Sequence, residues 1–409
     1  MKNNLMRKIS ILSVSLMVAS AAAMNANIPA MAKAFSDIPL SLVENLITIP
    51  SLFLMISVLI SGFIARRIGY KRTILIGIGM VAICGMVPVI SSNFYLIFIS
   101  RALFGFGVGL FNSLLVAMVK YFYDDDECST LFGFQSACEG LGGLAIVFIA
   151  GQLLRINWQI SFLAYVIAIP VFILFAIFVP NVPTNKIIFK TEMINNKKEQ
   201  EDKNLNKRSF LSVLGYVVLI FIVAVLYMTM GIKVTTLMTN IGYGTATDGS
   251  TVNLMVGLGA MISGLLFGKL VKVTQGFTLP IAFVLLAFAM FLIGFSNSVF
   301  LTAIGGLIIG FAFRMIMPYL VNKVNNGAIE NSGLATSLLL VGYNLGACTS
   351  PYGAIILERI SWVKSLSGIF YTEGIILVIL AVCGTALTIF HLSKKEINDN
   401  DIYIEENYL

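Results

Sequence analysis

Charge is the first thing this chain has little of. Only 11% of its 409 residues are Asp, Glu, Lys or Arg, and 58% are hydrophobic, whereas a soluble domain carries roughly 25% charged residues. That balance excludes a soluble globular protein and leaves a polytopic membrane protein. Histidine is nearly absent as well, with His391 standing alone near the C-terminus. Metal sites and Ser-His or Cys-His catalysis draw on histidine, and no Asp pair takes its place, so neither a metal centre nor a membrane-embedded enzyme is expected. Cys84, Cys128, Cys138, Cys348 and Cys383 are scattered without a CxxC pair, which implies neither a disulfide framework nor a zinc site. A phosphate loop is missing too. "GLLFGKL" has the wrong spacing for G-x-x-x-x-G-K-[ST], since Gly268 follows Gly264 too closely and Leu270 follows Lys269. No cofactor is expected, and transport work would have to come from a gradient or from exchange.

What the chain does have is apolar length. About 20 residues of helix cross a bilayer, and twelve such runs lie near 9–31, 42–65, 73–91, 95–121, 130–154, 159–180, 210–239, 250–271, 277–295, 299–322, 333–357 and 368–391. Lipid offers no partner to free backbone groups, so the runs should be helices. They are too long, and lack the period-two alternation, for a barrel. The basic start "MKNNLMRK", the apolar run after it and "AAAMNA" resemble a signal peptide, but the length of the run and the many that follow favour an uncleaved first helix. One polar insert, containing "NNKKEQEDKNLNKR", divides the runs six and six. The expected organisation is an N-terminal six-helix half over 1–180, a cytoplasmic linker over 181–209, a C-terminal half over 210–392 and a cytoplasmic tail over 393–409.

Orientation follows from the cations. With the N-terminus inside, the outer connections hold only Lys33, Arg155, Arg359 and Lys364, and Arg101, Lys233 and Arg314 fall within helices. All the rest of the 27 Lys and Arg are then cytoplasmic. The net charge of +7 is a topology signal and gives no support for nucleic-acid binding. Both termini are expected in the cytoplasm, with the bilayer as the surrounding partner.

The halves echo each other. "GFIARRIGYKR" after the second run parallels "GLLFGKLVK" after the eighth, and "DDDECSTLFGFQSACEGLGG" after the fourth parallels "NNGAIENSGLATSLLLVGYNLGA" after the tenth. Such repeats suggest a transporter with its site between the halves.

At these residues the sequence resembles the major facilitator superfamily over nearly its whole length, most of all bacterial twelve-helix members that include efflux proteins. The family pattern G-x-x-x-D-R-x-G-R-R/K is met by Gly62, Arg67, Gly69 and Lys71, with Arg66 in place of the acid and Tyr70 in place of an arginine. Asp124, at the start of "DDDE", is a candidate to supply an acid to the inner gate. The fourth-helix pattern R-x-x-Q-G-x-G is met by Arg101, Gly105 and Gly107, with Phe104 in place of glutamine. "NWQISFLAYVIAIP" and "GYNLGACTSPYG" resemble the sixth and eleventh helices, whereas Gln152 after Gly151 spoils the exporter marker G-P. The resemblance implies an all-α membrane protein with twelve transmembrane helices in two pseudo-symmetric six-helix halves around a central cavity. It also implies a gating role for Gly62, Arg67, Gly69, Lys71, Gly105, Gly107 and Asp124.

Charges inside a membrane are costly and mark function. If helices 1, 4, 7 and 10 line the cavity, as in the family, Arg101, Lys233 and Arg314 enrich it in positive charge. That points to an organic anion or a carboxylate-bearing amphiphile. Glu139 is the candidate proton carrier, with Arg101 as its expected partner; the rival reading is a permanent packing pair. Glu44 and Glu373 lie near outer helix ends, where the simplest expectation is contact with water. Asn25, Gln135, Tyr227, Tyr343 and Asn344 join Lys233 and Arg314 as candidate substrate contacts, against the plainer role of interhelical packing. Gln135 shares a helix face with Glu139.

The functional expectation is a secondary transporter of a bacterial cytoplasmic membrane, acting as a monomer on a small molecule by alternating access. Proton-coupled efflux of drugs or amphipathic metabolites comes first, and proton symport of an organic anion or other nutrient second. A non-transporting sensor is a remote third.

Overall fold

The N-terminal half contains α1 (Lys2–Ser15), α2 (Ile28–Ala34), α3 (Leu40–Ile68), α4 (Tyr70–Ile90), α5 (Phe94–Phe122), α6 (Asp125–Leu154) and α7 (Ala168–Phe178). The C-terminal half contains α8 (Lys207–Ile241), α9 (Ala246–Thr274), α10 (Thr278–Phe295), α11 (Val299–Asn326), α12 (Ser332–Ile360) and α13 (Leu366–Glu406). The computed structural model describes residues 2–123, 125–181, 207–326 and 332–406, and no strand occurs among them. Asp124 and most of the expected linker lie outside the described residues.

Nine stretches among the described residues are long and apolar enough to cross a membrane, and one of these, Ala246–Phe295, contains both α9 and α10. Two of the twelve runs are not among them. One is α12, which carries Asn344, Thr349, Ser350 and Pro351. The other is the first run, expected near 9–31 as one helix interrupted by Asn25 and Asn27, and here divided into three pieces. There α1 ends at Ser15, a 3-10 segment covers Ser20–Asn27, and α2 follows. The serine hydroxyls compete for main-chain acceptors: Ser10 donates to the Met6 carbonyl at 2.7 Å and Ser20 to the Met17 carbonyl at 2.7 Å. Pro29, lacking an N–H, opens α2 and withholds a helical bond from residue 25. The sixth run is likewise divided, with a 3-10 segment over Ile160–Ile167 leading into α7.

Pseudo-symmetry shows in the packing. A Cβ on Gly105 or Gly109 of α5 would strike the α3 backbone at Pro50 or Leu54. On Gly306 or Gly310 of α11 it would strike the α9 backbone at Val252 or Val256. The fourth and tenth spans thus approach the second and eighth through the same four-residue spacing of glycines, which brings backbones close. Gly107 does the same toward Gly77 of α4. Gly69, between α3 and α4, has φ +96°, a region that side chains avoid. Lys71 then donates to the Ala176 carbonyl near the end of α7 at 2.7 Å, where a cation complements the helix dipole. These contacts lie within the N-terminal half. The halves meet along α3 with α12 and α6 with α9, and the first segment touches α8 and α9.

Candidate functional site

At the end carrying the α2–α3 and α12–α13 connections, the one the charge bias above expects outside, side chains join the halves. Glu44, in the second turn of α3, and Lys233 of α8 form an ion pair at 2.6 Å, with side chains 1% and 5% exposed. Asn45 donates to the Tyr352 hydroxyl of α12 at 2.8 Å, and Thr48 to the Cys348 carbonyl at 3.3 Å. On the other seam, Ser250 of α9 donates to the Val147 carbonyl of α6 at 3.0 Å. Losing one partner of a buried ion pair costs about 3–5 kcal/mol, because the other charge is stranded. The pair therefore favours the joined state.

The expectation that Glu44 and Glu373 reach water is corrected, since both are buried. Glu373 has no hydrogen-bond partner on either carboxyl oxygen among the described residues. It packs within the C-terminal half, between the buried Phe370 and Leu377 of its own helix. Lys233, paired with Glu44, stands apart from the expected substrate contact Tyr227 of its own helix. It lies six residues beyond Tyr227 on α8, about 9 Å of helix rise.

Arg101 is wholly buried inside the N-terminal half. Its Nε donates to the Leu46 carbonyl at 3.1 Å and its Nη1 to the Tyr165 hydroxyl at 3.3 Å. The Tyr165 hydroxyl donates onward to the Ser20 carbonyl at 3.1 Å. The Leu46 carbonyl is available because Pro50, four residues on, has no N–H to offer it. Rings of Phe104, Phe162 and Tyr165 surround the guanidinium with centroids at 4.5, 5.7 and 5.6 Å, an arrangement that favours a cation. Phe104, standing where the family pattern has glutamine, supplies the nearest ring. Arg101 thus ties α3, α5 and the sixth span to Ser20, at the break in the first segment. The expected Arg101–Glu139 pair is corrected: no hydrogen bond or ion pair joins them among the described residues, and the charged neighbour of Glu139 is Arg314.

Arg314 lies halfway along α11 and is exposed. An arginine facing lipid there would be costly, which argues for a water-accessible space beside it. Its charge reaches Glu139 of the opposite half and Tyr227 and Tyr343 of its own. Yet Arg314 forms neither a hydrogen bond nor an ion pair within 4.0 Å among the described residues. Glu139, Tyr227 and Tyr343 are half-buried, and none of their polar side-chain atoms has a hydrogen-bond partner among the described residues. Beside them the Tyr227 and Phe313 rings stack at 3.8 Å and 10°, and Phe313 lies 5.9 Å from Tyr343. Pro318 stands four residues after Arg314 inside α11 and removes one helical bond there.

The remaining candidates spread out. Gln135, half-buried, lies one turn before Glu139 on α6. Asn25 sits against Gly231 of α8, and Asn344 donates to the Leu340 carbonyl of its own helix at 2.8 Å. Arg67 is exposed, with its guanidinium over the Phe63 ring, 4.6 Å from the centroid. Gly62 has open space around it. Asp124 lies outside the described residues. Among the described residues no group of three or more His, Cys, Asp or Glu could hold a metal ion. A groove of about 580 Å³ between α10 and α13 is lined by apolar side chains such as Phe288, Phe291 and Val382, with Thr385 its one hydroxyl. None of these charges lines it, and it offers little to a polar ligand.

Sequence reasoning passed over Asn45, Thr48 and Phe313, and it noticed Glu44 as an acid inside a span but assigned it to water.

The family model described as Major Facilitator Superfamily matches residues 10–351. A search of curated proteins finds no match. Among solved structures, a D-xylose-proton symporter aligns with TM-score 0.68 at 14% identity, over 93% of this chain and 97% of that one. The nucleoside transporter NupG aligns with TM-score 0.71 at 12% identity, over 93% and 99%. A peptide transporter POT aligns with TM-score 0.71 at 15% identity, over 93% of each. At these identities the likeness is one of fold.

Proposed function

The chain belongs to the Major Facilitator Superfamily, and from that membership we propose that it couples protons to the movement of a small amphipathic organic anion. It is a multi-pass membrane protein and a secondary transporter of that superfamily. The observation that carries this reading is Arg314, exposed halfway along α11 and unpaired among the described residues, with its charge acting on the unpaired Glu139.

The coupling follows from electrostatics. With the cavity empty, the guanidinium favours the charged form of Glu139. A substrate carboxylate taking Arg314 removes that support and adds its own negative charge nearby, so substrate binding favours proton uptake by Glu139. Linkage is reciprocal, and a proton on Glu139 strengthens anion binding by the same factor. Two ligands that help each other bind travel together, which is symport. Glu44–Lys233, with Asn45–Tyr352 and Thr48–Cys348, then serves as the outer gate, closed in this structure.

Efflux by exchange is the second reading, and the unpaired Glu139 is what favours it. A cationic amphiphile at that carboxylate would compete with the proton, and competing ligands travel in opposite directions. The sign of the substrate's charge therefore decides between the two. The protein names of the neighbours, among them a proton symporter, suit the first. In either case we place the chain in a bacterial cytoplasmic membrane, as a monomer with both termini inside.

Proteoliposomes with an entrapped pH dye test this. Adding an organic anion outside acidifies the lumen under symport, and adding a cationic amphiphile makes it alkaline under exchange. Protein-free vesicles set the leak. Absence of protein-dependent proton movement with every anion and cation tried overturns proton coupling.

A further inference from the structure

Resting on the anion reading above, we infer that the substrate is an aromatic carboxylate, its acid group held by Arg314 and its ring laid against Tyr227, Phe313 and Tyr343. The site gathers three kinds of group at one depth. The first is a guanidinium, exposed and uncommitted, with a planar fork of donors that matches a carboxylate. The second is the pair of phenol hydroxyls on Tyr227 and Tyr343, which take no partner among the described residues and lie within reach of the Arg314 charge. A carboxylate has more acceptor sites than one guanidinium edge fills, and these hydroxyls are the donors at hand. The third is the aromatic wall, Tyr227 stacked on Phe313 and Phe313 tilted toward Tyr343.

The wall is made of half-buried rings on α8, α11 and α12, and Phe313 is the residue next to Arg314. An aliphatic acid would satisfy the charge but gain only area from the wall. A planar ring also gains offset or edge contacts with the ring quadrupoles. Glu139 completes the arrangement from the opposite half. Once protonated, its carboxyl can donate to the bound carboxylate, which unites ring, acid and proton in one site.

Isothermal titration of the purified full-length protein with benzoate, cyclohexanecarboxylate, benzyl alcohol and benzylamine tests the assignment. Benzoate should bind about three- to tenfold tighter than cyclohexanecarboxylate, with the alcohol and the amine far weaker. Phe313→Leu should bring the ratio of the two acids close to one, and Phe313→Tyr should restore it. A melting curve for each variant confirms that it folds. Equal affinities for the two acids in the wild type, both lost in Arg314→Gln, would overturn the aromatic assignment and leave the anion reading standing. Preference for benzylamine would overturn both. Binding of benzyl alcohol as tight as benzoate would also overturn both, since the ring would then act without the charge.

Discussion

Two pairs of opposite charges span the same two halves, and they are in opposite conditions. Glu44 and Lys233 are in contact at 2.6 Å and dry. Glu139 and Arg314 sense each other but do not touch, and Arg314 is exposed. A charge pair that has closed is committed to its partner, and removing either member strands the other charge. A pair that stays apart in a water-accessible space leaves its charges free for a ligand. Both pairs join a helix of the first half to one of the second, so alternating access can exchange their conditions.

The largest effect should come from breaking the closed pair. Lys233→Met leaves Glu44 buried and alone, and should disfavour the outer-closed state by about 3–5 kcal/mol. Spin labels on Asp37→Cys and Trp362→Cys, both exposed in the outer connections, should report a longer distance. Glu44→Leu combined with Lys233→Met should shorten it again, since an apolar pair tolerates burial.

Arg101 sharpens the comparison as a third buried charge that belongs to neither pair. Arg101→Met loses two charge-assisted hydrogen bonds and should lower stability by about 2–3 kcal/mol, read as a fall in melting temperature. Arg314→Gln should behave the other way. It has no contact to lose, so the melting temperature should hold, while anion affinity falls about tenfold to a hundredfold. The smallest effect is expected at Gly69, where Gly69→Ala forces a side chain into a positive-φ turn and should cost about 1 kcal/mol in the same melting experiment.

The spans and the two-half plan were legible because membrane helices are written in composition and length. Glu139, Arg314, Tyr227 and Tyr343 were legible as candidates because an intramembrane charge or a polar ring stands out against its neighbours. Partners were not. Glu44 and Lys233 lie 189 positions apart in sequence, and helix periodicity carries no information across that distance. Arg101 misled for a related reason. Its partners are a carbonyl freed by Pro50 and three aromatic rings, and only Phe104 among these is close to it in sequence. The break in the first segment was half visible in Asn25, Asn27 and Pro29, each tolerable alone in a helix.

Anion and proton are proposed to bind together at Arg314 and Glu139. The most direct measurement is proton uptake by the purified protein, in weak buffer with a pH indicator, when benzoate is added to saturation. The account predicts uptake in the wild type and none in Glu139→Gln, which should still bind benzoate. Saturating binding to the wild type without proton uptake would contradict it.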